Sequence, residues 1–118
     1  MSVSTSVELE WGGAKRKFAL PNAQAFELEK ETGAGIVLLN ARLRAGAWLL
    51  SDLRNILRRA LMGGGLTAPE ADKLLVEYFD DERIPRQPQA TTCLLITSAW
   101  LYGVEAAAEG NGAGEVTA

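Results

Sequence analysis

A β-hairpin whose register can be derived from the sequence opens the chain and constrains its fold more than any other feature. Gly12-Gly13 lies between two alternating segments, and two glycines allow a positive φ at both central positions of a two-residue turn. This turn pairs Trp11 with Ala14 and, further out, Val7 with Phe18. One face is then largely apolar, whereas the other carries opposite charges across the strands. Its charged pairs are Glu10 with Lys15 and Glu8 with Lys17. A slip by one residue would break both patterns, so we expect this register.

Two helices are predicted to follow the hairpin. The first begins at Pro21-Asn22, where the Asn22 side chain can cap free amides, and it ends before Gly33, which suits a left-handed residue after the last turn. The second is short and ends by Ala45-Gly46, because apolar residues recur at spacings of three and four. These apolar residues are Ile36, Leu39 and Leu43.

Two further amphipathic helices are indicated by the same kind of spacing. Ser51 can cap the third helix, which ends at the glycines 63–65. A capping box formed by Thr67 and Glu70 opens the fourth. We expect the fourth helix to fray at the acidic run 80–82, before an ordered connection over residues 83–88. The inner stripes are Leu53, Ile56, Leu57, Ala60 and Leu61 in the third helix, and Ala71, Leu74, Leu75, Tyr78 and Phe79 in the fourth.

The last helix is predicted from about Gln89 to Glu109, and between Cys93 and Tyr102 its apolar residues occupy more than one face. Such a helix is either the centre of the core or a surface that meets another subunit or a client. The candidate protein interface consists of Leu94, Leu95, Trp100 and Leu101. Residues 110–118 contain few large apolar groups, which predicts a flexible C-terminal tail after a single domain over residues 1–109.

These motifs, taken in order, resemble a family of small phage tail proteins. The hairpin is followed by the helix end Phe26-x-Leu28-Glu29-x-x-Thr32-Gly33, the apolar segment 36–39 and a helix introduced by residues 50–53. This order is similar to the tail-assembly-chaperone-like proteins that also occur in the tail clusters of gene transfer agents. The resemblance covers roughly residues 3 to 82 and, more loosely, the last helix. It implies no catalytic residue.

Composition favours the same fold class. A chain of 118 residues with 47% hydrophobic residues is long enough for one core and too short for two ordinary domains. We therefore predict an α+β fold in which an N-terminal antiparallel β-hairpin is followed by four to five α-helices. The longest apolar stretch, residues 93–104, is shorter than the roughly 20 residues that span a bilayer. The first residues do not resemble a secretory signal, so we expect the protein to be located in the bacterial host cytoplasm or in the virion tail.

Few residues of the sequence are candidates for catalysis or for binding a metal or cofactor. The chain has no His, which is the usual general base and a common metal ligand. Cys93 lies alone in an apolar helix and is interpreted as a core residue rather than a nucleophile. The acidic run 80–82 is interpreted as solvated rather than as a Mg²⁺ site, and both glycine runs follow helices, unlike phosphate-binding loops. We predict no catalytic residue, no cofactor and no metal site.

Charge is segregated along the chain. Residues 42–59 contain five arginines and one acid, whereas residues 70–82 contain six acids and one lysine. The two blocks are ordinary solvated faces, or they neutralise each other across adjacent helices or between subunits, or the arginines face nucleic acid. A net charge of −3 argues against nucleic acid. The candidate charged interface consists of Arg54, Arg58 and Arg59.

Three functions follow as hypotheses. The resemblance implies a non-enzymatic tail assembly chaperone that covers apolar segments of the tape-measure protein, with a homo-oligomer as a further option. The first alternative is a structural component of the tail tube or its terminus, because proteins of this family are also described in that way. The second is a small DNA-binding regulator that uses the third helix, although a basic overall charge is missing.

Overall fold

The computed structural model describes residues 3–105, and it confirms an α+β fold with an antiparallel hairpin and five α-helices. A short π-helical turn and a second, two-residue strand pair complete it. The elements in chain order are β1 Val3–Ser4, β2 Val7–Trp11, β3 Ala14–Phe18, α1 Asn22–Thr32, α2 Ile36–Ala45, α3 Leu50–Gly63, α4 Ala68–Leu75, the π-turn Val76–Asp80, α5 Arg86–Tyr102 and β4 Val104–Glu105.

The hairpin has the predicted register. Val7 pairs with Phe18 and Trp11 with Ala14, and both turn glycines have a positive φ, 64° and 81°. The rings of Trp11 and Phe18 are buried, with centroids 6.5 Å apart in an edge-on arrangement. Arg16 shares this inner face and turns back to the loop, where its Nε donates to the carbonyl oxygen of Trp11 at 3.1 Å. The cation therefore satisfies loop carbonyls instead of interrupting the apolar face.

The helix-end motif builds the corner between α1 and α2. Gly33 has φ 69° in the left-handed region, as predicted. The Thr32 hydroxyl donates to the carbonyl oxygen of Leu28 at 2.9 Å. A carboxylate oxygen of Glu29 accepts from the backbone N–H of Ile36 at 2.9 Å and so caps the start of α2. This motif is therefore structural, and it determines how α2 leaves α1.

Two predicted caps are wrong, and one is confirmed. Asn22 is the first residue of α1, preceded by Pro21, and its side chain makes no capping bond. Helix α3 begins one residue before Ser51, so Asp52 stands at the third helical position and accepts from the backbone N–H of Leu49 at 2.9 Å. Both bonds of the predicted capping box are present: the N–H of Thr67 donates to Glu70 at 2.8 Å, and the N–H of Glu70 donates to the Thr67 hydroxyl at 3.3 Å.

Helix α3 is the centre of the core. It packs against α1, α4, α5 and β3, and its predicted inner stripe is fully buried. Burying five such side chains removes enough apolar surface from water to make this helix the main stabilising element. The buried stripe consists of Leu53, Ile56, Leu57, Ala60 and Leu61.

The end of α3 lies unusually close to the hairpin. The N–H of Ala19 donates to the carbonyl oxygen of Ala60 at 3.1 Å. A Cβ at Gly63 would clash with the carbonyl oxygen of Ala19, and a Cβ at Gly64 would clash with that of Lys17. The glycine run was predicted only to end the helix, but two of its members also allow this backbone approach.

The end of α4 differs from the prediction. Instead of fraying, the helix continues into the π-turn Val76–Asp80. The extra residue in this turn brings the ring of Tyr78 against Gly12 in the hairpin loop, so closely that a side chain at Gly12 would touch it. The centre of the Tyr78 ring lies 5.9 Å from that of Trp11. Packing against the hairpin therefore outweighs the repulsion among the acidic residues at this helix end.

Helix α5 begins three residues earlier than predicted, at Arg86, and it ends at Tyr102 instead of continuing to Glu109. Gly103 has φ 76° and turns the chain so that Val104–Glu105 pairs with Val3–Ser4. The predicted tail 110–118 lies outside the described residues. Within residues 3–105 no helix is long and apolar enough to cross a membrane.

Candidate interaction surface

Helices α2 and α5 lie side by side and run in the same direction. The side-chain amide of Asn40 donates to the hydroxyls of Thr97, at 2.9 Å, and Ser98, at 3.0 Å. One turn further along both helices, Arg44 donates to the Tyr102 hydroxyl at 2.9 Å, and its guanidinium lies 5.5 Å from the centre of that ring. These two contacts establish both the direction and the level at which the helices meet.

The four apolar residues of the candidate protein interface do not share one environment. Leu95 is 45% exposed, whereas Leu94 and Trp100 are partly buried and pack against the core. Leu101 is also partly buried. Within the part of the chain that the structure describes, α5 is covered by α2, α3 and β2, and its most exposed side carries Leu95 and Tyr102.

Sequence reasoning missed other exposed apolar residues on the same helix pair. Val37 is 64% exposed and Leu38 49%, both on α2, and Tyr102 at the end of α5 is 67% exposed. Val37 precedes Asn40 by three residues, as Leu95 precedes Ser98, so Val37 and Leu95 stand at the same level of the pair. The run Ile36–Leu39 was a usable signal, because four consecutive apolar residues cannot all lie on one stripe of a helix.

The candidate charged interface is engaged inside the chain. Arg54 pairs with Asp80 at 2.9 Å, Arg58 pairs with Asp72 at 2.7 Å, and Arg59 pairs with Glu31. Two of these contacts join the arginine block to the acidic block across adjacent helices, which was one of the alternatives above. That the three arginines also face another molecule stays a prediction.

The ion pairs shift the pKa of four of their members. The hydrogen bond from Arg54 lowers the pKa of Asp80, and the hydrogen bond from Arg58 lowers the pKa of Asp72. The same bonds, formed by Asp80 and Glu31, raise the pKa of Arg54 and Arg59. Asp72, Asp80, Arg54 and Arg59 are therefore charged at neutral pH.

The described residues offer little reactive chemistry. No group of three or more acidic, Cys or His side chains among residues 3–105 could hold a metal ion. The thiol of Cys93 is completely buried, and its Sγ lies 3.6 Å from the carbonyl oxygen of Leu53. Burial raises the pKa of this thiol, so it stays protonated and packs as a small core residue.

Comparison with known families identifies a match over most of the chain. The family model described as phage tail tube protein, GTA-gp10, matches residues 4–101, from β1 almost to the end of α5. No significant match was found among curated proteins or among solved structures. The match covers more than half of the sequence, and the chain therefore belongs to this phage tail tube protein family.

Proposed function

We propose that the chain is a non-enzymatic tail assembly chaperone that covers an apolar helical segment of another tail protein during assembly, with the tape-measure protein as its client. Membership of a phage tail family supports a role in tail structure or morphogenesis. The observation that carries the finer proposal is the open side of the α2–α5 pair. It presents Val37, Leu95 and Tyr102, each between 45% and 67% exposed.

The physical role of this surface is masking. A long helical client exposes apolar side chains before a tube assembles around it, and such surface aggregates unless it is covered. Two helices that run in the same direction form a shallow seam, which suits an amphipathic helix laid along it. Arg44 stacked on Tyr102 closes one end of the seam with a polar group.

The test compares a substitution in this surface with a matched one outside it. Leu95→Glu places a charge in the seam, and we expect binding of a tape-measure fragment to weaken at least about tenfold, because a buried unpaired charge is costly. The control is Val76→Glu on the π-turn, which is 52% exposed and belongs to neither helix. Sedimentation measures binding, and thermal melting shows that both variants fold.

A result in which Leu95→Glu binds the fragment like the unmodified protein would remove the physical support for the chaperone proposal. Trp100→Ala is less informative, because Trp100 is partly buried against the core and its truncation is expected to destabilise the fold by a few kcal/mol.

The second candidate is a structural component of the tail tube or its terminus, and the description of the matching family favours it. Stable incorporation distinguishes the two functions. A structural component remains in purified, finished particles, whereas a chaperone dissociates once other tail proteins cover its client. Quantitative mass spectrometry of purified particles measures this directly. The DNA-binding alternative gains no support, because Arg54, Arg58 and Arg59 already pair with carboxylates of the same chain.

A further inference from the structure

The two strands of the hairpin direct their unpaired backbone groups to opposite edges. In a hairpin with a two-residue turn, Trp11 and Ala14 exchange backbone hydrogen bonds, and every second pair after them does the same. The intervening residues point their N–H and C=O groups outward. These are Glu8 and Glu10 on β2, and Lys15 and Lys17 on β3.

From Lys17 onward, the outer edge of β3 is covered by the chain itself. The carbonyl oxygen of Lys17 lies against Gly64, so closely that a Cβ there would clash with it. The next outward group, the N–H of Ala19, donates to the carbonyl oxygen of Ala60. The end of α3 therefore occupies the edge at which another strand would add to β3.

The outer edge of β2 is different. Across residues 3–105, no backbone group outside the hairpin bonds to Glu8 or Glu10. Both side chains are exposed, and neither forms an ion pair within 4 Å with another of the described residues. A groove of about 490 Å³ lies over the outer face of the hairpin, next to the β1–β4 pair, and its lining includes Glu8, Lys15 and Lys17.

We propose that the β2 edge binds an extended segment of another protein as an added strand, and that this segment carries basic residues at alternate positions. Every free backbone group of the edge belongs to a glutamate, so an added strand would place its own outer side chains beside Glu8 and Glu10. Opposite charges on neighbouring strands are stabilising, whereas like charges are destabilising. Backbone bonds supply affinity and the alternate charges supply specificity.

The same charges argue against a second copy as the occupant. Two β2 edges paired with each other would bring glutamates together on one face, which is unfavourable. The basic strand β3 of a second copy has its outer edge covered by α3. The edge is thus protected from self-pairing and receptive to a basic partner, at a surface separate from the α2–α5 seam.

The first experiment titrates the full chain with a fluorescent peptide of sequence Thr-Lys-Val-Lys-Val-Lys-Thr and follows amide hydrogen exchange by NMR. We expect saturable binding and slower exchange at the amides of Glu8 and Glu10. The amide of Leu9 provides an internal control, because it already bonds within the hairpin and its exchange should change little. Unchanged exchange at Glu8 and Glu10 in the saturated complex would overturn the proposal.

Two matched proline variants test the edge itself. Glu10→Pro removes an outward N–H without removing a hairpin bond, as edge strands tolerate, and should reduce peptide affinity at least about tenfold. Lys15→Pro removes an equivalent N–H on the opposite strand and should leave the affinity unchanged. Equal losses in both variants, with thermal melting showing intact folds, would contradict an edge-specific site.

Charge is tested from both sides. The double variant Glu8→Lys, Glu10→Lys should bind the lysine peptide about tenfold more weakly, and a peptide with Glu in place of Lys should show the same loss on the unmodified protein. Equal binding of both peptides would overturn the basic-partner proposal. So would sedimentation that shows the protein dimerising through this edge, with the dimer lost in Glu10→Pro.

Discussion

The outer side of α3 and the outer face of the hairpin both carry rows of charge, but only the first is neutralised by its own chain. On α3, Arg54, Arg58 and Arg59 each meet a carboxylate from another helix or the π-turn. On the hairpin, Glu8 and Lys17 face each other across the strands without an ion pair within 4 Å. Opposite charges that face each other across two strands therefore do not necessarily form an ion pair.

The difference follows from how each surface is surrounded. Helix α3 lies between α1 and α4, so its arginines are partly covered and their planar guanidinium groups can form directed bonds. Among residues 3–105, no helix packs on the outer face of the hairpin, and exposed lysines gain little from holding one geometry. The arginines at the centre of the helical charge block are therefore engaged within the chain, whereas the charges on the outer face of the hairpin are not.

The largest effect is expected where the two regions meet. Gly63→Ala adds a Cβ that clashes with the carbonyl oxygen of Ala19, and we expect a loss of about 3 kcal/mol in the free energy of unfolding, at the upper end for overpacking. Gly46→Ala is the control: its φ of 70° is strained for alanine but no atom lies within 4 Å of the added Cβ, so about 1–2 kcal/mol is expected. Urea denaturation measures both.

Similar costs for Gly63→Ala and Gly46→Ala would show that the end of α3 does not hold the edge of β3. The edge of β3 would then be no better protected from strand addition than the edge of β2.

A smaller effect is expected from double-mutant cycles on one charged pair from each region. Arg58→Ala with Asp72→Ala should show a coupling of roughly 0.5–1 kcal/mol, because the bond is directed and Arg58 is partly buried. Glu8→Ala with Lys17→Ala should show a smaller coupling of about 0.2 kcal/mol, the lower end for opposite charges that face each other across strands. Equal coupling in the two cycles, measured by urea denaturation, would contradict the contrast between the surfaces.

The smallest effect is a dependence of stability on pH that comes from the helical side. The pKa values of Asp72 and Asp80 are lowered in the folded state. Their contribution is therefore present above the ordinary carboxyl pKa of about 4 and is lost as the pH falls through the lower folded values. We expect the Tm to fall below about pH 4, and to fall less in the variant Asp72→Asn, Asp80→Asn. An equal fall of Tm with decreasing pH in the two proteins would contradict this.

Much of the fold was accessible from the sequence because short-range rules determine it. The hairpin register follows from one glycine turn and alternating charge, and the Thr67–Glu70 box follows from spacing alone. The failed caps show the limit of such rules. Once α3 begins one residue before Ser51, Asp52 rather than Ser51 is placed to accept the N–H of Leu49, and the exact start depends on packing that spacing does not reveal.

The remaining differences depend on contacts between distant parts of the chain. The pairing of Val3–Ser4 with Val104–Glu105 joins two segments of only two residues each, which is too short for a periodicity signal. The π-turn follows from the position of Tyr78 on the hairpin loop. For the candidate surface, the sequence identified an excess of apolar residues on α5, but only the placement of α2 shows that Leu95 stays open while Leu94 is partly covered.

The β1–β4 pair also makes the described chain almost circular. Val3 and Glu105 are direct partners in an antiparallel pair, so their Cα atoms lie about 5 Å apart. In a variant reduced to residues 3–105, a peptide linker of a few residues would span this distance, and new ends opened between Gly46 and Ala47 would interrupt no helix or strand. The order of these elements along the chain then does not determine the fold, and a circularly permuted protein should form the same packed core.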